Sequence, residues 1–322
     1  MTKKAYLSSL GSMGKKHLLA LISMGYEVEA FDPSLEAFNT SKVNITENGL
    51  CAKKLRSVNE SIGSYDIAIF SETADKRFRN FEKFLEKSFA KIILLEKPLS
   101  SNPLEIKKFY NLAKKKKIEK STFVNFSRRV LDHIIEINKF CKKENNFVMM
   151  LNGGAIGLGC NGIHYLDKFI LFSGNEMPNI KWVSLSDEII KSGRGKHFFD
   201  YGGDFILSTS RGILIASLSS NSSANVNMSI KGKHFLINVD YTNSTYQMSQ
   251  RLSDSRLPLY KYGADYKVIK NINFEILNLK QVIQNLIKGT TNLPNLELAI
   301  KSHILLDKIL RKGGIKPPYS YT

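Results

Sequence analysis

The sequence predicts an α/β chain of two domains, the second built on an open, predominantly antiparallel sheet. Three observations carry that expectation. Short apolar runs alternate with helical patterns through the first 120 residues. From about residue 205 the helical patterns stop, and short apolar runs follow one another through tight turns. Two amphipathic stretches then close the chain.

Residues 5–10 are the first strand candidate, and 14–24 the helix after it. Residues 27–31 form a second strand ending in Asp32. Strands at 67–70 and 91–95 flank a helical stretch of roughly 74–87. Such continuous apolar runs suit strands buried on both faces of a parallel sheet. Asn102, Pro103 and Glu105 stand in the order of a helix cap, a first helical residue and a capping-box partner. That helix should run to about Ala113 and end in four lysines, 114–117, which suit its negative end. Residues 122–126 read as a strand leaving the first domain, which places the boundary between 1–120 and 121–322.

A helix over 130–142 and a strand over 147–151 come next. Gly153, Gly154, Gly157 and Gly159 make a flexible stretch, and Asn161 is placed to cap a helix over 162–172. Strands are expected at 205–210, 213–219, 225–230, 235–239 and 245–249, with turns at Arg211-Gly212 and Lys231-Gly232. Connections too short for helices mean hairpins, hence antiparallel pairing. Helices near 274–287 and 296–312 end the sequence.

Composition narrows the function. With 322 residues, 43% hydrophobic and 24% charged, the chain can bury the cores of two domains and lacks the signature of disorder. Its apolar runs are far shorter than the ~20 residues of a membrane span, and its first residues read as a strand, not a secretory signal. Cys51, Cys141 and Cys160 are too few and too scattered for a disulfide framework or a metal cluster, so a reducing cytoplasm is the simplest home and no metal is expected. The net charge of +18 would suit a nucleic acid, but no aromatic residues interleave with the basic runs as stacking platforms would. An anionic small substrate, or an acidic partner, suits the charge equally well, and no nucleic-acid or membrane partner is expected.

The segment Ser9-Leu10-Gly11-Ser12-Met13-Gly14 sits between a strand and a helix and reads as GxGxxG with serine in the first place. Gly11, Ser12 and Met13 would let a pyrophosphate approach the backbone at the helix start, and Gly14 would let the helix pack on the strand. Serine must make the tight turn without glycine's freedom. Asp32, 21 residues beyond Gly11, can accept hydrogen bonds from an adenosine ribose and would repel a 2′-phosphate. NAD is therefore expected in preference to NADP. A plain strand-turn-helix also needs small residues, and Asp32 before Pro33 also suits a turn.

With Glu96-Lys97-Pro98 the pattern gains a third landmark, and His164 with Asp167 a fourth. Together with His17 after the glycine turn, these make the chain resemble the glucose-fructose oxidoreductase / inositol dehydrogenase (Gfo/Idh/MocA) family, over essentially its whole length. The resemblance implies an N-terminal Rossmann domain followed by an α/β domain on an open sheet. It implies that Lys97 lies beside the nicotinamide and the reacting carbon, that Pro98 is cis, and that Glu96 partners that turn. Ser71 and Glu72 fall in the loop where the family contacts the cofactor, although the usual Thr-Pro is here Glu72-Thr73 and the usual later histidine is Arg77. Asn125 falls at the crossover between domains, with Arg128 or Arg129 as a substrate contact just beyond it. The family's Asp-x-x-x-His pattern aligns on Cys160 and His164, so its aspartate is missing. The run around Cys160-Asn161 looks like a branch of surface-polysaccharide and sialic-acid-type sugar enzymes.

Hydride transfer at a carbinol needs the carbon held against the ring and the hydroxyl proton moved. His164 can exchange that proton near neutrality, and Lys97 can stabilise a developing alkoxide. Asp167, three residues along the helix, can orient the imidazole or hold a substrate hydroxyl, and equally suits a local salt bridge. Asn161 is the residue that could replace the missing aspartate's polar contact. The arginines, Arg128 and Arg256 among them, favour an anionic sugar such as a nucleotide sugar or nonulosonate. The family often pairs subunits through an open sheet face, so a homodimer or homotetramer is expected. Without the aspartate, a protein that binds NAD without turnover, a regulator or scaffold of the same fold, stays open.

Overall fold

A computed structural model describes residues 3–34, 36–37, 52–144, 146–275 and 278–321; Cys51 lies outside them. Six strands form the first sheet: β1 (Lys3–Ser8), β2 (Tyr26–Phe31), β3 (Lys53–Leu55), β4 (Gly63–Phe70), β5 (Ser88–Leu95) and β6 (Thr122–Val124). They lie in the order β3-β2-β1-β4-β5-β6, and every pair is parallel. This doubly wound order reverses direction between β1 and β4, and that switch point opens a crevice at the carboxyl ends of the strands. The runs read from sequence as 67–70 and 91–95 lie within longer strands, buried throughout at 67–70 and from Ile93 to Leu95.

The connecting helices are α1 (Ser12–Ser23), α2 (Arg77–Lys87) and α3 (Pro103–Lys115). Asn102 caps α3 through Leu104 N, 3.0 Å away. Glu105 closes the box indirectly: Ser100 Oγ donates to Glu105 and accepts from Asn102 N. A short 3-10 turn, Ser127–Val130, then leads into α4 (Asp132–Lys143).

The second sheet has eight strands. They are β7 (Phe147–Gly153), β8 (Asn179–Lys191), β9 (Phe199–Ser208), β10 (Gly212–Leu218), β11 (Asn227–Lys231), β12 (Phe235–Asp240), β13 (Thr245–Arg251) and β14 (Tyr266–Asn273). Their order is β14-β13-β12-β11-β7-β10-β9-β8, antiparallel except where β10 lies parallel to β7. Helix α5 (Ile163–Phe172) follows β7, and α6 (Leu279–Ile287) and α7 (Leu296–Lys312) close the chain.

Three elements escape the sequence pattern for physical reasons. Strand β14 is an edge strand exposed along nearly its whole length, so it carries no alternation. Strand β8, the other edge, shifts register twice against β9, which scrambles its period of two. Strand β9 begins six residues before the expected 205, because Gly202 and Gly203 interrupt its apolar run. Asn161 is not a helix cap: residues Gly157–Gly162 form a π-helical turn that runs directly into α5.

Tertiary packing also brings the end of the chain back to its start. Val282, Ile283 and Leu286 of α6 share one core with Leu18, Leu21 and Ile22 of α1. Helix α7 joins the other core beside Phe109 of α3 and Phe169 of α5. The stretch 279–312 therefore packs on both halves, although it lies wholly beyond residue 121.

Candidate functional site

The turn between β1 and α1 opens the crevice. Ser9 has φ +73°, the left-handed conformation that glycine adopts freely and serine does not. Its geometry is held by Ser71, whose hydroxyl lies 2.9 Å from both Ser8 O and Ser9 O. A Cβ on Gly14 would lie 2.0 Å from Ser9 O, so only glycine lets α1 seat against the turn. Gly11 starts the helix with no side-chain cap, which leaves the first N–H groups of α1 free to face an anion. Asp32 ends the crevice wall. It accepts from Leu10 N at 2.6 Å and from Ser34 N at 2.8 Å, fastening the carboxylate beside the turn. A dinucleotide fits these features: open backbone for the pyrophosphate and an acidic residue for the ribose.

Behind the turn lies a buried polar network. Glu96 accepts from Asn125 Nδ2 at 2.6 Å and meets His17 Nε2 at 2.7 Å. Burial pushes its carboxyl up, but His17, Asn125 and the Lys97 charge outweigh that and hold it below the usual carboxylate range. The Lys97–Pro98 peptide is cis. Two side chains fasten the turn: Arg77 donates to Pro98 O, Leu99 O and Glu72 O, and His303 of α7 accepts from Leu99 N at 2.9 Å. Arg77 is 2% exposed, a buried anchor of the Lys97–Pro98 turn.

Lys97 reaches across to the second half of the chain. Its Nζ donates to Cys160 O, in the π-helical turn. That turn is fixed by Asp200 of β9, which accepts from Gly159 N at 2.9 Å and Cys160 N at 2.7 Å. Gly157 has φ +72°, and a Cβ there would lie 2.3 Å from Asp200 Oδ2, so the glycine makes room for the carboxylate. Asp200 thus brings a buried acid to the Cys160 turn from a strand 40 residues away. No spacing signal pointed to it. Burial lowers the Lys97 pKa below the ordinary lysine value, Glu96 raises it, and Arg128 and Arg194 lower it further.

His164 begins the first turn of α5 and is 5% exposed, edge-on to Phe126 with ring centroids 5.6 Å apart. Its Nδ1 has no hydrogen-bond partner. Burial first, then the positive charges of Lys97, Arg128 and Lys168, hold its pKa well below the usual histidine value. The imidazole is therefore neutral at pH 7, the form a proton acceptor needs. Arg128 donates to Tyr165 OH and to Asn161 Oδ1, both at 3.3 Å. Lys97 thus joins Cys160 and Arg128 joins Asn161 at the meeting of the two sheets, and His164 feels the charge of both cations.

Three of the residues expected at the site serve elsewhere. Asp167 is 1% exposed and pairs with Arg129 Nε at 3.4 Å and Ser302 Oγ at 3.4 Å, not with the imidazole. Glu72 is 6% exposed and gives its carboxylate to Ser8 Oγ and Asn80 Nδ2, inside the domain. Arg256 is exposed in the β13–β14 connection, at the opposite edge of the second sheet from β8 and β9. Lys168, which the sequence did not single out, is fully buried with its ammonium 4.4 Å from the Tyr165 ring and 2.5 Å from Tyr241 OH. Among the described residues no group of His, Cys, Asp and Glu could hold a metal ion, and no helix is long and apolar enough to cross a membrane.

No family model and no curated protein matches the sequence. Solved structures do match in fold. UDP-N-acetylglucosamine 3-dehydrogenase from Acidithiobacillus ferrooxidans aligns with a TM-score of 0.67 at 13% identity, over 97% of this chain and 96% of its own. Myo-inositol dehydrogenase from Lactobacillus casei, solved with NAD(H) and myo-inositol, gives 0.67 at 13%, over 98% and 95%. The transcriptional regulator Gal80p from Kluyveromyces lactis gives 0.70 at 14%, over 97% and 92%. The chain has the two-domain fold these proteins share. At such identity the likeness fixes the architecture and leaves the chemistry to the residues.

Proposed function

We propose that this protein is an NAD-dependent oxidoreductase that moves a hydride to or from a hydroxyl or keto carbon of an anionic sugar. The observation that carries the reading is the connection of Lys97 to the His164 segment through Cys160 O, beside a crevice shaped for a dinucleotide. Bound NAD would supply or accept the hydride. Gly11, Ser12, Met13 and Gly14 would hold its pyrophosphate, Asp32 its ribose, and Asn125 and Glu96 would back the nicotinamide side. Ser71 keeps the turn in shape. His164, neutral and without a partner on Nδ1, takes the hydroxyl proton in the oxidative direction. Lys97 steadies the oxygen as negative charge develops, and Arg128 with Asn161 contacts the sugar. Asp167 acts at one remove, holding Arg129 and α5 in place.

Sugar turnover with NAD tests this. Lys97→Met and His164→Asn should each lower kcat/KM by roughly 10²-fold or more while NAD still binds. Wild-type turnover in both variants would reject the assignment.

A second reading has its own support. Cys160 stands where the aspartate is missing, and Gal80p shows that the fold also serves a transcriptional regulator. NAD binding with no reduction of NAD across a panel of sugars would favour that reading. The open face of the second sheet supports a homo-oligomer. Met150 of β7 and Ile213 and Ile215 of β10 are neighbours there, each more than two-fifths exposed.

A further inference from the structure

The connection between β8 and β9, residues 192–198, is a basic hairpin: Ser192-Gly193-Arg194-Gly195-Lys196-His197-Phe198, preceded by Lys191. It borders a cavity of about 350 Å³ lined by Gly157, Cys160, Lys191, Arg194, Asp200 and Tyr321 among others. The cavity therefore shares a wall, Cys160, with the contact that holds Lys97. Among the described residues the Arg194 guanidinium has no hydrogen-bond or ion-pair partner, yet its charge is felt at Lys97 and at buried Arg77.

The acids nearby cannot answer it. Asp200 has its oxygens on the N–H groups of Gly159, Cys160 and Tyr201. Glu96 is taken by His17 and Asn125. Lys97 feels the charges of Arg128 and Arg194, and the nearby carboxylates Glu96 and Asp200 already hold other donors, which leaves the Arg194 guanidinium on the cavity wall able to take an anion. The volume sits at the low end of small-ligand pockets, room for a monosaccharide with one charged substituent.

We infer that this cavity receives a carboxylate or phosphate carried on the sugar itself, with Arg194 as its main counter-charge. The inference rests on the reading of the site as a sugar oxidoreductase, and it moves the source of charge selectivity from Arg256, on the far edge of the sheet, to Arg194. A planar guanidinium offers two parallel N–H donors to such a group, and an ammonium does not.

Isothermal titration of the full chain with D-glucuronate, D-glucose 6-phosphate and D-glucose, with and without NAD, tests it. At least one charged probe should bind wild type roughly tenfold or more tightly than D-glucose. Arg194→Ala, at an exposed position, should bring the probes within about twofold of one another with D-glucose and NAD affinity unchanged, and Arg194→Lys should keep part of the preference. A preference for glucuronate alone identifies a carboxylate, and one for the 6-phosphate alone a phosphate. A preference that survives Arg194→Ala, or that wild type lacks, or failure of every probe to bind, overturns the inference. An Arg194-dependent preference without NAD binding would keep the anion site and remove the oxidoreductase reading.

Discussion

Replacing Glu72 by glutamine should stabilise the protein at alkaline pH and do almost nothing in acid. Glu72 is 6% exposed, with Oε1 on Ser8 and Asn80 and no partner for Oε2. Burial pushes its carboxyl up from 4.5 to about 7, against the pull of Ser8, Asn80 and Arg77. Between those values the native state keeps a proton that the unfolded chain gives up. This group's contribution to stability therefore falls as pH rises from 4.5 to about 7. The difference of 2.5 pH units, at about 1.36 kcal/mol each, sets an upper limit of about 3 kcal/mol. Glutamine resembles the protonated acid in shape and has nothing to ionise. Urea unfolding at pH 5 and pH 8 reads the effect as a shift in midpoint at constant slope. The variant should match wild type at pH 5 and exceed it by up to about 3 kcal/mol at pH 8. A variant less stable than wild type at pH 8 would mean that the carboxylate is ionised and satisfied by Arg77, which would refute the reasoning. NAD affinity should not change, since the carboxyl serves the interior; a large loss would return Glu72 to the cofactor loop.

Other perturbations bear on the same site. Ser9→Gly should stabilise by about 1 kcal/mol in thermal melts, because it relieves a left-handed serine at the cost of one long hydrogen bond to Asp32. Gly14→Ala should destabilise by at least about 2 kcal/mol and abolish NAD binding in a fluorescence titration, since its Cβ would overlap Ser9 O. Lys97→Met should move the His164 pKa upward in an imidazole NMR titration, because one of the positive charges that depress it is gone; an unmoved or lowered value would separate the two residues. His303→Gln should gain stability relative to wild type as pH falls below about 6.5, because the unfolded wild-type chain takes up protons that His303 refuses. Burial lowers His303 to about 4, so its contribution is full above 6.5 and is lost as pH falls through that window; a difference between variant and wild type that stays constant from pH 7 to 4 would refute this.

Local chemistry is what the sequence stated outright. The apolar runs at 67–70 and 91–95, the glycine turn and Asp32, the Asn102-Pro103 helix start and the hairpins after 205 all follow from rules that act within a few residues. The parallel and antiparallel halves were legible for the same reason. Edge strands β8 and β14 were not, because an exposed or bulged strand loses the alternation that marks it.

The partners at the site were decided by tertiary structure. Nothing near Cys160 in the chain announces Asp200, nothing near Pro98 announces His303, and Arg194 differs from the chain's other lysines and arginines only by where its hairpin lands. Asp167 and Glu72 carry the same carboxylate as Asp32, yet burial and partners give them interior duties while Asp32 stays beside the turn. A side chain's type fixes what it can exchange. Its desolvation and its neighbours, brought from far along the chain by packing, fix whether it meets a ligand or holds the scaffold.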